Sequence, residues 1–181
     1  KFGVTSNVTF DDIVIYEGGE DVSLLSIVYP IDGCGMGSEN ISTLFANNTT
    51  DTIFNAPVKY QVNGGGVVSE IIDTILPGDT IGFMFLTTYN FSIYGSYDLS
   101  VWLDHAADLV SSNDSILDHT VYSRPNISVF PYFEDFEGSS GNWTSQGDAK
   151  NWEWGVPANT IISSAYSGIN AWVTDLDSLT N

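Results

Sequence analysis

Positive charge is almost missing from this sequence. Lys1, Lys59, Arg124 and Lys150 are the basic side chains among 181 residues, against 23 acidic ones, so the formal net charge is -19. Nucleic-acid binding needs clustered Lys and Arg to release counterions from phosphates, which excludes that class of partner, and an anionic membrane surface with it. Cysteine is rarer still. Cys34 stands alone, so no intrachain disulfide can form and a thiolate zinc site lacks its ligands. Secreted domains of eukaryotes usually carry a stapling disulfide, so the lack of one favours a bacterial surface protein. No run of about 18 apolar residues occurs, so membrane insertion is not expected. The opening residues KFGVTSNVTF lack a signal-peptide apolar core and an initiator Met, which reads as a mature or internal piece of a longer protein. Imidazole is limited to His105 and His119. With no G-x-S-x-G elbow and no H-E-x-x-H helix beside them, both are expected at the surface and the chain is not expected to be an enzyme.

Apolar residues are plentiful: 43% of the chain is hydrophobic and 13% aromatic, enough to build cores and too much for a disordered acidic tail. Seven runs rich in Val, Ile, Tyr, Phe and Thr lie near 21 to 29, 39 to 46, 52 to 62, 67 to 75, 80 to 88, 96 to 104 and 114 to 122. The alternation is cleanest in Val58-Tyr60-Val62 and in Tyr97-Leu99-Val101-Leu103, each interleaved with polar residues or Trp102. Period two with one polar face is the signature of a half-buried antiparallel strand. The connections Asn47-Asn48-Thr49-Thr50-Asp51, Gly64-Gly65-Gly66 and Leu76-Pro77-Gly78-Asp79 are turn chemistry. Seven short strands in about 100 residues predict an all-β chain with one immunoglobulin-like β-sandwich over residues 20 to 123. Four of the five tryptophans fall after residue 129, which marks a boundary near Ser123-Arg124-Pro125-Asn126.

NNTTDTIFNAPVKYQVNGGG, followed by LPGDTIGFMF and SSNDSIL, resembles the cell-adhesion-related immunoglobulin-like modules of secreted Bacteroidota proteins. FPYFEDFEGSSGNWTSQGDAKNWEWGVP with SAYSGINAWVT resembles the opening of MAM-like jelly-roll domains, and VTFDDIVIYE their closing strand. The resemblance implies that residues 1 to 17 close one jelly roll and residues 129 to 181 begin the next. The lone N-terminal strand is then expected to pair outside this chain. It also implies a structural calcium ion between Asp11 and Asp12 at one end and Glu134, Asp135 and Glu137 at the other, shared with segments outside the chain.

Other candidates come from the residues themselves. Asp104, Asp108, Asn113 and Asp114 put four oxygen side chains into the loop before the last sandwich strand. They could form a second calcium cage or simple Asx turns, and their spacing fits no EF-hand. Trp152 and Trp154, two residues apart, would share one strand face, as a sugar-stacking platform or as jelly-roll core. Thr52, Thr74, Thr80, Ser115 and Ser178 each follow Asp and precede Ile or Leu, which resembles the O-glycosylation triplet of exported Bacteroidota proteins. The expectation that follows is a structural or adhesive repeat segment of a large secreted or cell-surface bacterial protein. Its partners would be neighbouring domains, other copies or a glycan. The alternative is a non-catalytic, carbohydrate-binding accessory region of a secreted hydrolase.

Overall fold

The computed structural model describes residues 19–145 and 152–176, and among them there is no α-helix. All seven expected strands are present. They are β1 (Val22–Tyr29), β4 (Ser42–Asn47), β5 (Ile53–Val62), β6 (Val68–Ile75), β7 (Thr80–Met84), β9 (Gly95–Leu103) and β10 (Ser115–Arg124). Three two-residue strands join them: β2 (Gly33–Cys34), β3 (Ser38–Glu39) and β8 (Tyr89–Asn90). One sheet runs β1-β4-β7 and the other β2-β10-β9-β5-β6. Neighbours within each sheet are antiparallel except for β2 on β10. Together they make an immunoglobulin-like sandwich.

The run expected over 39 to 46 is interrupted. Asn40 donates from its side chain to the Phe85 carbonyl at 2.9 Å, and the Phe85 amide donates to Ile41 O at 2.9 Å. The chain therefore leaves β3, where it pairs with β8, and re-enters as β4 beside β7. Strand β7 stops at Met84, short of residue 88, because the amides of Leu86 and Thr87 donate to the Glu70 carboxylate at 3.0 and 2.9 Å instead of to a neighbouring strand.

Along β9 the alternation holds throughout: Tyr97, Leu99, Val101 and Leu103 are buried and the residues between them are not. In β5 it slips by one residue between Ile53 and Ala56 where Asn55 takes φ 53°, a left-handed conformation that Asn tolerates better than most residues. A bulge before His119 likewise breaks the register of β10 on β9, with Asp118 at φ 54° and its amide on Ser100 Oγ.

The core between the sheets is one cluster drawn from residues 22 to 121. Its largest fully covered members are Tyr60, Phe45, Phe85 and Phe91. Tyr60 meets Phe85 edge-on at 4.9 Å between ring centres, and Phe91 meets Tyr97 in the same way at 4.8 Å. Each such side chain contributes about 1.5–3 kcal/mol by leaving water.

After Arg124 the chain changes character. The described part of 129 to 176 has one regular element, the antiparallel pair β11 (Trp152–Gly155) and β12 (Ala171–Thr174). Val173 and Pro157 are buried here, and both stand outside the sandwich cluster. Trp154 Nε1 donates to Phe136 O at 2.9 Å and Trp172 Nε1 to Ser140 O at 3.1 Å, fastening the 136–140 segment to the pair. The expected N-terminal strand over 1 to 17 lies outside the described residues.

Candidate functional site

Acidic side chains gather at one end of the sandwich. Leu103 ends β9, and the chain loops through a 3-10 turn at Ser111–Asn113 before β10 begins at Ser115. The loop is pinned to the start of β1. Val22 N donates to Asp108 Oδ2 at 2.7 Å, Leu109 N to Glu20 O at 3.0 Å, and Asn113 Nδ2 to Asp21 Oδ1 at 2.9 Å. Asn48 closes the third side, its backbone amide on Asp21 O at 2.9 Å and its side chain on Asp21 Oδ1 at 3.1 Å. His105, expected at the surface, is paired with Glu20, and its side chain is only 13% exposed. Topology overrode the sequence reading here, since the Glu20 partner comes from the far end of the module. His119 is exposed on β10, as expected.

Of the four residues proposed for this loop, the structure brings three together and separates one. Asp104 is exposed and forms an ion pair with Lys59 on β5. Asp108 accepts twice from backbone, since Val110 N also donates to its Oδ1 at 2.8 Å. Asp114 is 8% exposed. Its carboxyl is pushed up to about 6 by burial and by the charges of Asp108 and Asp21, with His105 opposing. The Asp21 contribution was invisible in sequence, because nothing in the Gly-Gly-Glu-Asp stretch before β1 signals that it meets a loop this distant. Among the described residues, no three His, Cys, Asp or Glu side chains converge as a ready-made metal cage.

The calcium expectation at the jelly-roll end divides between described and undescribed residues. Asp11 and Asp12 lie outside the described residues. At the other end the carboxylates brace the backbone. Glu137 accepts from Ile169 N at 2.9 Å and Asn170 N at 3.1 Å, Glu134 from Phe136 N at 2.9 Å, and Asp135 from Glu137 N at 3.0 Å. Glu134 and Asp135 also line a groove of about 290 Å³ with Tyr166 and Trp172.

A second, apolar groove of about 470 Å³ is lined by Phe136, Trp143, Thr144, Ser145, Trp152 and Trp172. Register sets Trp154 directly opposite Trp172, so Trp152, Trp154 and Trp172 share one face of the β11–β12 pair. Trp152 is 55% exposed, whereas Trp154 and Trp172 are partly buried and hydrogen-bonded through their indole nitrogens. Of the two tryptophans singled out in sequence, Trp152 is the one open to a ligand. Of the triplet hydroxyls, Thr74, Thr80 and Ser115 are exposed, Thr52 is half-buried, and Ser178 lies outside the described residues. Thr80 and Ser115 begin their strands, while Thr74 sits inside β6.

No family model matches the chain. A curated relative, bacillopeptidase F of Bacillus subtilis (strain 168), is 39% identical over 77 residues, which is 41% of this chain. The match spans 5% of that protein's length. Among solved structures, the CARDB domain of a Pyrococcus furiosus protein matches with a TM-score of 0.47 at 14% identity, covering 57% of this chain and 94% of that one. A domain of a protein assigned to the cell surface of Methanosarcina acetivorans matches with a TM-score of 0.47 at 15% identity, covering 61% of this chain and 97% of that one.

Proposed function

We propose that the chain is a non-catalytic segment of a larger extracellular bacterial protein. In this reading residues 20 to 123 act as a spacer, and residues 129 to 181 belong to a second domain that presents the binding surface. One observation carries it: the sandwich closes its own core, whereas the region after it buries few of its apolar side chains. Val129, Phe130, Phe133, Ile161 and Ile169 are between 64% and 84% exposed, and this much open apolar surface in so short a stretch calls for a partner. Further protein of the same polypeptide would cover that surface. At the sandwich end Asp108 is engaged in backbone bonds and Asp104 and Glu20 in ion pairs, as structural polar groups are, which supports the non-catalytic role.

Hydrogen exchange on the longer parent protein and on the 181-residue chain tests this. Amides of residues 129–133 and 161–169 are expected to be protected in the parent and open in the shorter chain. Equal exchange in both would remove the second-domain reading.

The local identity to bacillopeptidase F favours a second reading, an accessory region of a secreted hydrolase. Trp152 and the groove beside it would then face carbohydrate, by the stacking of indole on sugar rings. The flanking reading frame separates the two. Further copies of the sandwich and jelly-roll pattern support the spacer, and a protease or glycosidase catalytic motif supports the accessory region. A glycan array that leaves the wild-type chain unlabelled, or labels Trp152→Ala equally, would end the sugar reading. Intact mass of native material at 19.7 kDa would end O-glycosylation at the triplets.

A further inference from the structure

The 104–114 loop contains two neighbouring oxygens with nothing to bind. Asn113 Oδ1 and Asp114 Oδ1 are both covered from solvent, and among the described residues neither meets a hydrogen-bond donor. The amide of Asn113 cannot be turned to relieve this. Its Nδ2 donates to Asp21 Oδ1 at 2.9 Å, and exchanging the two atoms would set oxygen against oxygen. Asp114 is more than nine-tenths buried, and it directly follows Asn113, whose amide meets Asp21, in the loop that Asp108 pins to the start of β1. Two adjacent buried acceptors, one of them a carboxylate, destabilise the fold when left without a partner. A positive species is the natural counterpart.

Among the described residues, the lysine and arginine side chains are engaged elsewhere. Lys59 is engaged with Asp104, Arg124 with Asp32, and His105 with Glu20. Among the described residues, the charges that act on Asp114 are those of Asp21 and Asp108, opposed by His105, which Glu20 engages. The donor set is entirely hard oxygen, the chemistry of calcium and not of zinc.

We propose that this end of the sandwich binds one calcium ion, with Asn113 Oδ1 and Asp114 Oδ1 as side-chain ligands and the carboxylates of Asp21 and Asp108 supplying further negative charge. Asp21 takes the place that the sequence spacing had suggested for Asp104. Because no three carboxylates converge among the described residues, backbone carbonyls and waters complete the six to eight positions that calcium accepts. Few charged ligands and a partly hydrated ion set the affinity in the weak range of extracellular modules, a Kd of about 10⁻⁴–10⁻³ M. Calcium is preferred over magnesium because two ligands on consecutive residues cannot impose the regular octahedron that magnesium demands. The bound ion would tie the start of β1 to the loop before β10, stiffening the spacer where the preceding part of the chain enters it.

The test uses the 181-residue chain with calcium chloride, magnesium chloride or EDTA, followed by calorimetric titration and by amide NMR. Calcium is expected to bind once per chain in that range, shifting the amides of residues 20–22 and 108–114. Asp114→Asn should weaken binding at least tenfold while leaving the core amide spectrum and the EDTA melting temperature at or above wild type. Asn113→Ala should also weaken it, by a smaller factor. The proposal is overturned by absence of binding up to about 10 mM calcium, tenfold above the expected range. It is equally overturned if Asp114→Asn binds as wild type does. Shifts confined to residues 134–137, or an equal response to magnesium, would reject it too, by placing the ion at the other acidic group or reducing the effect to charge screening.

Discussion

Replacing Asn47 with Asp should be among the most damaging one-atom changes available in the sandwich. Asn47 ends β4 and is 2% exposed. Its amide nitrogen donates to the carbonyls of Asp51, Ile75 and Leu76 at 2.8, 3.1 and 3.1 Å, and its oxygen accepts from the amide and hydroxyl of Thr49 at 2.9 and 2.7 Å. One side chain thus ties the end of β4 to the 49–51 turn and to the end of β6. Asn47→Asp keeps volume and shape but points an oxygen at three carbonyl oxygens. The Ile75 contact is fully buried and the other two are partly so. With about 2 kcal/mol for the first and about half to one for each of the others, the lost pairing amounts to roughly 3–4 kcal/mol. Against a typical domain stability of about 5–15 kcal/mol this is a large fraction.

The charged form carries a further cost in so covered a site, which burial and the facing carbonyls translate into a raised carboxyl pKa. A carboxyl raised in the folded state stabilises below its unfolded value and loses that contribution as pH rises through the folded value. The deficit of Asn47→Asp relative to wild type should therefore be smallest near pH 4 and grow towards pH 8, whereas that of Asn47→Ala should stay flat. Urea unfolding of the three proteins, followed by tryptophan fluorescence across that range, reads both effects. A variant within about 1 kcal/mol of wild type at neutral pH, or a deficit independent of pH, would refute the network as described.

In EDTA, Asp114→Asn should raise stability at neutral pH. The wild-type carboxyl, lifted to about 6, withdraws on the order of 3 kcal/mol as pH climbs from its unfolded value through about 6, and the Asn variant should lack that slope. Tyr60→Phe removes the 2.9 Å bond from the buried hydroxyl to Thr87 O and should cost about 1 kcal/mol by urea unfolding. Leu99→Ala opens a cavity in the fully buried centre of β9 and should cost about 2–5 kcal/mol in the same assay. Glu137→Ala removes both acceptors for Ile169 N and Asn170 N, so those amides should exchange faster, with the sandwich amides unchanged.

The strands were legible because burial on one face of a sheet writes itself into every second residue. Val58, Tyr60 and Val62, and Tyr97 through Leu103, are buried where the alternation placed them. Less legible were the ends, where side chains take over the backbone's hydrogen bonds. Glu70 capping Leu86 and Thr87 shortened β7, and Asn40 reaching Phe85 split the strand expected at 39 to 46. The phase slip at Asn55 needed a left-handed φ that an Asn permits but does not announce.

By itself the sequence determined the β class, the seven long strands and the acidic character, because period-two patterning, turn residues and charge are local properties. Tertiary structure alone decided which acids meet. Asp104 looked like a partner of Asp108 and Asp114 from its spacing, yet it faces Lys59 on a neighbouring strand. Asp21, from the far end of the module, joins them because β1 and the loop before β10 end at the same edge of the sandwich. Contacts across that edge are set by the order of strands in two sheets, and strand order is a property of the whole fold rather than of any stretch of chain.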